Sequence, residues 1–214
     1  MKNSVENIFF DFNGTLLDDL DLCLRLLNIL LSDQKKPNVD MDRYKDIFTF
    51  PVKDYYIKAG LDFDIESYES MAVKFIYRYK EGYKNCKLYP NVKETLEYLK
   101  NKGIRLICLS VTEIGMLIEQ LKYFGIYEYF DDVLGNGDIY AKSKEEVAID
   151  FINKNKINKE KSILIGDTIH DYECGKKMGV NVVLNYSGHQ SIKVLEEAPV
   201  PIVRDVSVLK EILW

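Results

Sequence analysis

Four short apolar runs without polar alternation punctuate the chain: Ile8–Phe10, Leu106–Leu109, Ile163–Ile165 and Val182–Leu184. Runs of this length, bounded by turn residues such as Gly14 and Gly166, predict strands buried on both faces, the pattern of a parallel sheet. Shorter strand candidates lie at Asp132–Gly135 and Pro201–Val203. Between them the period becomes helical. Helices are expected from Asn91 to Leu99, Glu113 to Tyr123, Ser143 to Asn153, Tyr172 to Met178, Ser191 to Glu197 and Val206 to Leu213. Strands alternating with helices imply βαβ crossovers and a doubly wound, mainly parallel α/β sheet.

The stretch after the first strand breaks this alternation. Apolar residues recur at helical spacing from Asp19 to Leu31, Met41 to Phe48, Lys53 to Ala59 and Ile65 to Tyr83, and none of it reads as a strand. Residues 18–85 are therefore expected to form an all-helical domain inserted into an α/β core domain made of residues 1–17 and 86–214. Tyr68, Tyr77, Tyr79 and Tyr83 are expected to be amphipathic packing residues of this insert.

Composition narrows the function. A formal net charge of −5 over 214 residues argues against a nucleic-acid binder. Cys23, Cys86, Cys108 and Cys174 are scattered without metal-ligand spacing, so neither a disulfide framework nor a zinc site is read from them. No apolar run is long enough for a membrane span, and the opening residues lack a secretory signal pattern. A cytoplasmic protein with no nucleic-acid or membrane partner is expected, as a monomer or homodimer.

Several predicted strands end in residues suited to phosphate chemistry. Asp11, Ser110 and Asp167 each close an apolar strand, where open α/β sheets bind ligands. Asp171 follows Asp167 at a spacing that lets both carboxylates face one cavity, and Lys144 lies near a helix start. Hard oxygen ligands of this kind suit Mg²⁺, while a hydroxyl and a lysine supply donors for a phosphoryl group. Each residue also has a structural reading, since Asp at strand ends suits turns and caps and Lys on helices is mostly solvated. His170 and His189 are expected to be loop surface residues.

The order of these elements resembles the haloacid dehalogenase superfamily of phosphohydrolases, particularly its phosphoglycolate-phosphatase-like members. The D-x-D-G-T motif stands as Asp11-Phe-Asn-Gly-Thr15, and the apolar strand ending in Ser or Thr as Leu106 to Ser110. The motif lysine is Lys144, with Lys142 as a weaker claimant, and G-D-x-x-x-D is Gly166-Asp167 to Asp171. Asn185 to Gln190 is similar to the loop after the next strand. The resemblance implies a Rossmann-like core with a helical cap, acting as a Mg²⁺-dependent phosphatase on a small phosphorylated metabolite. It also implies roles: Asp11 as nucleophile forming an aspartyl-phosphate, and Mg²⁺ held by Asp11, the Asn13 carbonyl, Asp167 and Asp171. Ser110 and the Val111 amide would bind phosphoryl oxygens, Lys144 would balance charge, and Thr15 would fix the nucleophile loop. Hinges at about 16–19 and 84–88 would let the cap open and close.

One residue departs from the pattern. The family's phosphatases carry a second aspartate where this chain has Asn13, and an amide cannot exchange a proton at neutral pH. General acid–base help is worth ~10²–10⁴ in rate. Three outcomes follow: slow hydrolysis or restriction to good leaving groups, a substitute donor among Asp18, Glu113 and His170, or a phospho-ligand-binding protein without turnover. Dehalogenase and phosphonatase relatives also lack this aspartate. The first needs no metal, and the second calls for a cap lysine among Lys45, Lys53, Lys58, Lys74, Lys80 and Lys84. The first outcome predicts much weaker activity on alkyl than on aryl phosphates. Comparing wild type with Asn13→Asp on both classes checks it, and equal leaving-group sensitivity in the two proteins rules it out.

Overall fold

The computed structural model describes residues 5–137 and 143–212. Its main sheet has six parallel strands in the order β5-β4-β1-β6-β7-β8. These are β1 (Asn7–Phe10), β4 (Arg105–Glu113), β5 (Asp132–Asn136), β6 (Ser162–Gly166), β7 (Asn181–Asn185) and β8 (Ile202–Val203). Every residue of β1 is buried, as its unbroken apolar run requires, because it lies between β4 and β6 and is covered on both faces. On one face Ile8, Phe10, Leu106 and Cys108 pack with α5 (Val92–Asn101), α6 (Ile114–Tyr123) and α10 (Leu209–Ile212). On the other, Phe9, Ile107, Leu109 and Leu164 pack with α7 (Lys144–Asn155) and α8 (Ile169–Met178).

The chain leaves β1 for β4 and β5 on one side, then crosses to β6, β7 and β8 on the other. The direction of winding thus reverses next to β1, which opens a crevice at the carboxyl ends of β1, β4 and β6. The register of β4 against β5 shifts between Leu109 and Glu113, a bulge that displaces Ser110 to Thr112 from the regular ladder beside that crevice.

Between β1 and β4 lie α1 (Leu20–Asp33), α2 (Met41–Ile47), α3 (Val52–Ala59) and α4 (Tyr68–Gly82). They enclose their own apolar cluster, centred on Leu27, Leu30, Leu31, Tyr44, Tyr56 and Met71. The fourth helix starts at Tyr68, three residues after the expected Ile65, because the Ser67 side chain accepts from Ser70 N and caps it there. Two strands escaped the sequence pattern. β2 (Leu17–Asp18) and β3 (Lys87–Leu88) pair antiparallel at the two ends of the helical segment, and two residues are too few to carry a periodic signal. α8 likewise begins at Ile169, earlier than the expected Tyr172, since Thr168 caps it through Asp171. Among the described residues no helix is long and apolar enough to cross a membrane.

Leu96 is wholly buried between α5 and the sheet. Leu96→Ala is expected to lower the unfolding free energy by about 2–5 kcal/mol in urea titrations; a loss below ~1 kcal/mol would mean that this layer is loosely packed.

Candidate active site

The crevice gathers the expected residues from five separate segments. The Asp11 amide continues the ladder of β1 by donating to Ile165 O at 2.9 Å, which sets its side chain at the strand's carboxyl end. Asp167 follows β6 directly. Ser143 and Glu146 cap α7 reciprocally, and the next residue, Lys144, turns its side chain inward until 3% is exposed. Its Nζ donates to Asp11 Oδ1, and to Asp171 Oδ1 at 2.6 Å. The other Asp171 oxygen accepts from the Thr168 amide (3.1 Å) and hydroxyl (2.7 Å) at the start of α8. Thr15 Oγ1 donates to Asp167 Oδ1 at 3.1 Å, and the His189 amide to Asp167 Oδ2 at 2.6 Å. Gly14, at φ +73°, and Gly188 leave no room for a side chain, since a Cβ on either would sit 2.2 Å from an Asp167 atom. Ser110 is buried, Val111 is partly exposed at the cavity mouth, and Lys142 lies outside the described residues.

Carboxylate oxygens of Asp11, Asp167 and Asp171 lie within 4.8 Å of one another, all three buried. Burial pushes the Asp11 carboxyl up to about 8 against the pull of Lys144, with Asp171 and Asp167 adding to the rise. Burial also lifts Asp167 to about 6, against the opposing effect of His189. Burial acts on Asp171 in the same sense, but Lys144 and Thr168 outweigh it and hold that group below the ordinary carboxylate range. Desolvation disfavours the Lys144 ammonium, yet Asp11 and Asp171 keep it protonated well above the usual range. A cluster of hard oxygen donors with more negative charge than one lysine balances fits a divalent cation such as Mg²⁺.

Asn13 is held rigidly. Its Nδ2 donates to Asp19 Oδ2 (2.8 Å) and to Tyr79 OH (2.7 Å), and its Oδ1 accepts from Thr112 Oγ1 (3.1 Å). Asp19, 1% exposed, also receives Tyr79 OH at 2.6 Å, Gly14 N at 3.2 Å and His189 Nε2 at 3.1 Å. Tyr44 OH completes the chain at 2.7 Å from His189 Nδ1. Burial works against both charges, but Asp19 lies below its ordinary range and His189 above its own because each stabilises the other. Cys23 Sγ is 3.6 Å from Asp19 Oδ2, so a thiol, a carboxylate and an imidazole meet here. The Asp19 oxygens already accept from four nitrogen and hydroxyl donors, so the group is satisfied without an ion.

Two expectations are corrected by this network. His189 is 4% exposed rather than a loop surface residue, because the Gly188 turn folds it beneath Tyr44 and Phe48. Tyr79 is more than packing, since its hydroxyl joins the helical layer to Asn13 and Asp19. Of the suggested substitute donors, Glu113 spends both carboxylate oxygens capping α6 through the amides of Gly115 and Met116, and Asp18 is exposed in the β2–β3 ribbon. His170 is half-buried against Phe50. The lone signals for the missed network were the paired Asp18-Asp19 and the scarcity of histidine, two in the chain.

A profile of the haloacid dehalogenase-like hydrolases matches residues 8–185. The chain belongs to that family. Among curated relatives of this haloacid dehalogenase-like chain, a phosphoglycolate phosphatase of Pseudomonas fluorescens is 27% identical, covering 94% of this chain and 77% of its own length. One from Aliivibrio fischeri is 24% identical over 93% and 92%. Among solved structures, a haloacid dehalogenase-like hydrolase from Streptococcus pneumoniae superposes with a TM-score of 0.84 at 19% identity, covering 98% of this chain and 99% of that one. A proposed phosphatase from Clostridium difficile gives 0.81 at 25% identity over the full length of both.

The network changes what Asn13→Asp does in this hydrolase, because the new carboxyl faces Asp19 across the present 2.8 Å contact. The substitution is expected to lower stability by about 1–3 kcal/mol in thermal melts. Adding Asp19→Asn should recover most of that loss; strict additivity in the double-mutant cycle would refute the coupling.

Proposed function

We propose that the chain is a phosphomonoester hydrolase of small phosphorylated metabolites, working through a covalent intermediate on Asp11. The convergence of Asp11, Asp167, Asp171 and Lys144 at the carboxyl ends of β1 and β6 supports this reading. A carboxylate oxygen of Asp11 attacks phosphorus, the phosphorus–oxygen ester bond breaks, and the alkoxide or phenoxide departs with the electron pair. Water then attacks the acyl phosphate, releasing inorganic phosphate and restoring the Asp11 carboxylate. Lys144 orients Asp11 and opposes the burial that raises its carboxyl, favouring the anionic form that attacks. Ser110 and the Val111 amide, displaced from the ladder by the bulge, receive phosphoryl oxygens. A Mg²⁺ ion held by Asp11, Asp167, Asp171 and the Asn13 carbonyl would neutralise charge on the group in transfer.

Asn13 shapes the kinetics of both steps. It cannot protonate the departing oxygen, and it cannot take a proton from the attacking water. The first step then favours leaving groups that are stable as anions, and the second leaves the acyl phosphate long-lived. Residues 18–85 act in this reading as a cap domain over a core of 1–17 and 86–214. The β2–β3 ribbon marks the hinge, and closure excludes water from the intermediate.

With an aryl phosphate and Mg²⁺, a burst of phenol release close to one equivalent of enzyme is expected before a slower steady state. Asp11→Asn or chelation of the metal should abolish it. Absence of both burst and steady-state phosphate release, with phosphate still bound, would replace this reading with that of a binding protein.

A further inference from the structure

The crevice continues from the phosphoryl site into a cavity of about 510 Å³ between the sheet and the helical layer. Asp11, Ser110 and Lys144 lie at one end. Much of the remaining wall is aromatic: Phe48, Phe50, Tyr55, Tyr56, Tyr68 and Phe75 line it beside aliphatic side chains such as Ile76 and Met116. The rings come from the connection after α2, from α3 and from α4, and they pack on one another. Tyr56 meets Tyr68 at 5.9 Å, and Phe48 meets Tyr55 at 5.1 Å. Two more contacts turn rings toward the catalytic loops: Phe48 stacks on His189 at 4.8 Å and Phe50 lies over His170 at 4.7 Å.

Few cations join the rings in this lining. Lys144 is engaged by Asp11 and Asp171, and the other lysine of the lining, Lys80, is exposed on α4. His189 is committed to Asp19 and Tyr44. Among the described lining residues, a second anionic group on the substrate, such as a carboxylate or another phosphate, would meet the half-buried His170 and the unpartnered Tyr55 hydroxyl, but no buried lysine or arginine that is not already held by a carboxylate. An aromatic body meets the opposite situation, since offset and edge-on packing against rings adds to its simple burial.

Leaving-group chemistry points the same way. A phenol ionises near pKa 10, whereas an alkanol is about as weak an acid as water, near 15.7. Only the first departs readily as an anion where Asn13 replaces the acid. Resting on the phosphatase reading above, we infer that the substrate class is a small aryl phosphate, its ring seated among Phe48, Phe50, Tyr56 and Phe75 and its phosphoryl group on Asp11. Hydrolysis then gives a phenol and inorganic phosphate, with the proton and hydroxide supplied by one water.

Calorimetry with non-hydrolysable phosphonates in Mg²⁺ separates ring recognition from bond cleavage. Benzylphosphonate is expected to bind at least tenfold more tightly than hexylphosphonate or phosphonoacetate. In Tyr56→Leu and Phe75→Leu this preference should fall to threefold or less while inorganic phosphate affinity is unchanged, showing an intact phosphoryl site. Equal or tighter binding of phosphonoacetate or hexylphosphonate overturns the aryl assignment and leaves the phosphatase reading standing. Failure of every phosphonate and of inorganic phosphate to bind overturns both.

Discussion

Everything around the crevice answers to the burial of three carboxylates beside one ammonium. Asp11, Asp167 and Asp171 would repel one another strongly in a water-poor setting, and Lys144 neutralises two of them directly. The third is held by hydrogen bonds from Thr15 and the His189 backbone. Isolated charges do not persist in such surroundings unless paired and hydrogen-bonded. The capping of α7 and α8, the absence of side chains at Gly14 and Gly188, and the central place of β1 all serve to bring these groups together and solvate them with protein dipoles.

A second buried charge pair, Asp19 with His189, sits against the first through Gly14 and Asp167. It draws Tyr44 and Tyr79 from two helices of the insert onto the loop after β1. Asn13 is the joint between the two systems. Its amide, with two hydrogens and one accepting oxygen, satisfies Tyr79, Asp19 and Thr112 at once, which a carboxylate cannot do. The residue that lacks acid–base capacity thus gains a structural task, locking the loop after β1 to the helical layer.

The order of strands and helices, and the residues that meet at the strand ends, were legible because both leave local signals. Buried strands are unbroken apolar runs, and Asp11, Ser110, Asp167 and Lys144 follow a motif order that spans the chain. The Asp19–His189–Tyr44–Tyr79 network was not legible. Its members are separated by up to 170 residues and no spacing rule joins them; the tyrosines sit at positions that amphipathic packing alone would also fill. The β2–β3 ribbon escaped for the reverse reason, being too short to show any period.

That ribbon has an evolutionary corollary. Leu17 faces Leu88 and Asp18 faces Lys87, so the points where the chain departs from the sheet layer and returns to it lie side by side. A segment whose two ends are neighbours is a cassette: it can be exchanged for another of different length or shape without redrawing the connections of the strands beneath. The aromatic rings on the cassette can therefore change while the acids and lysine on the strand layer stay in place.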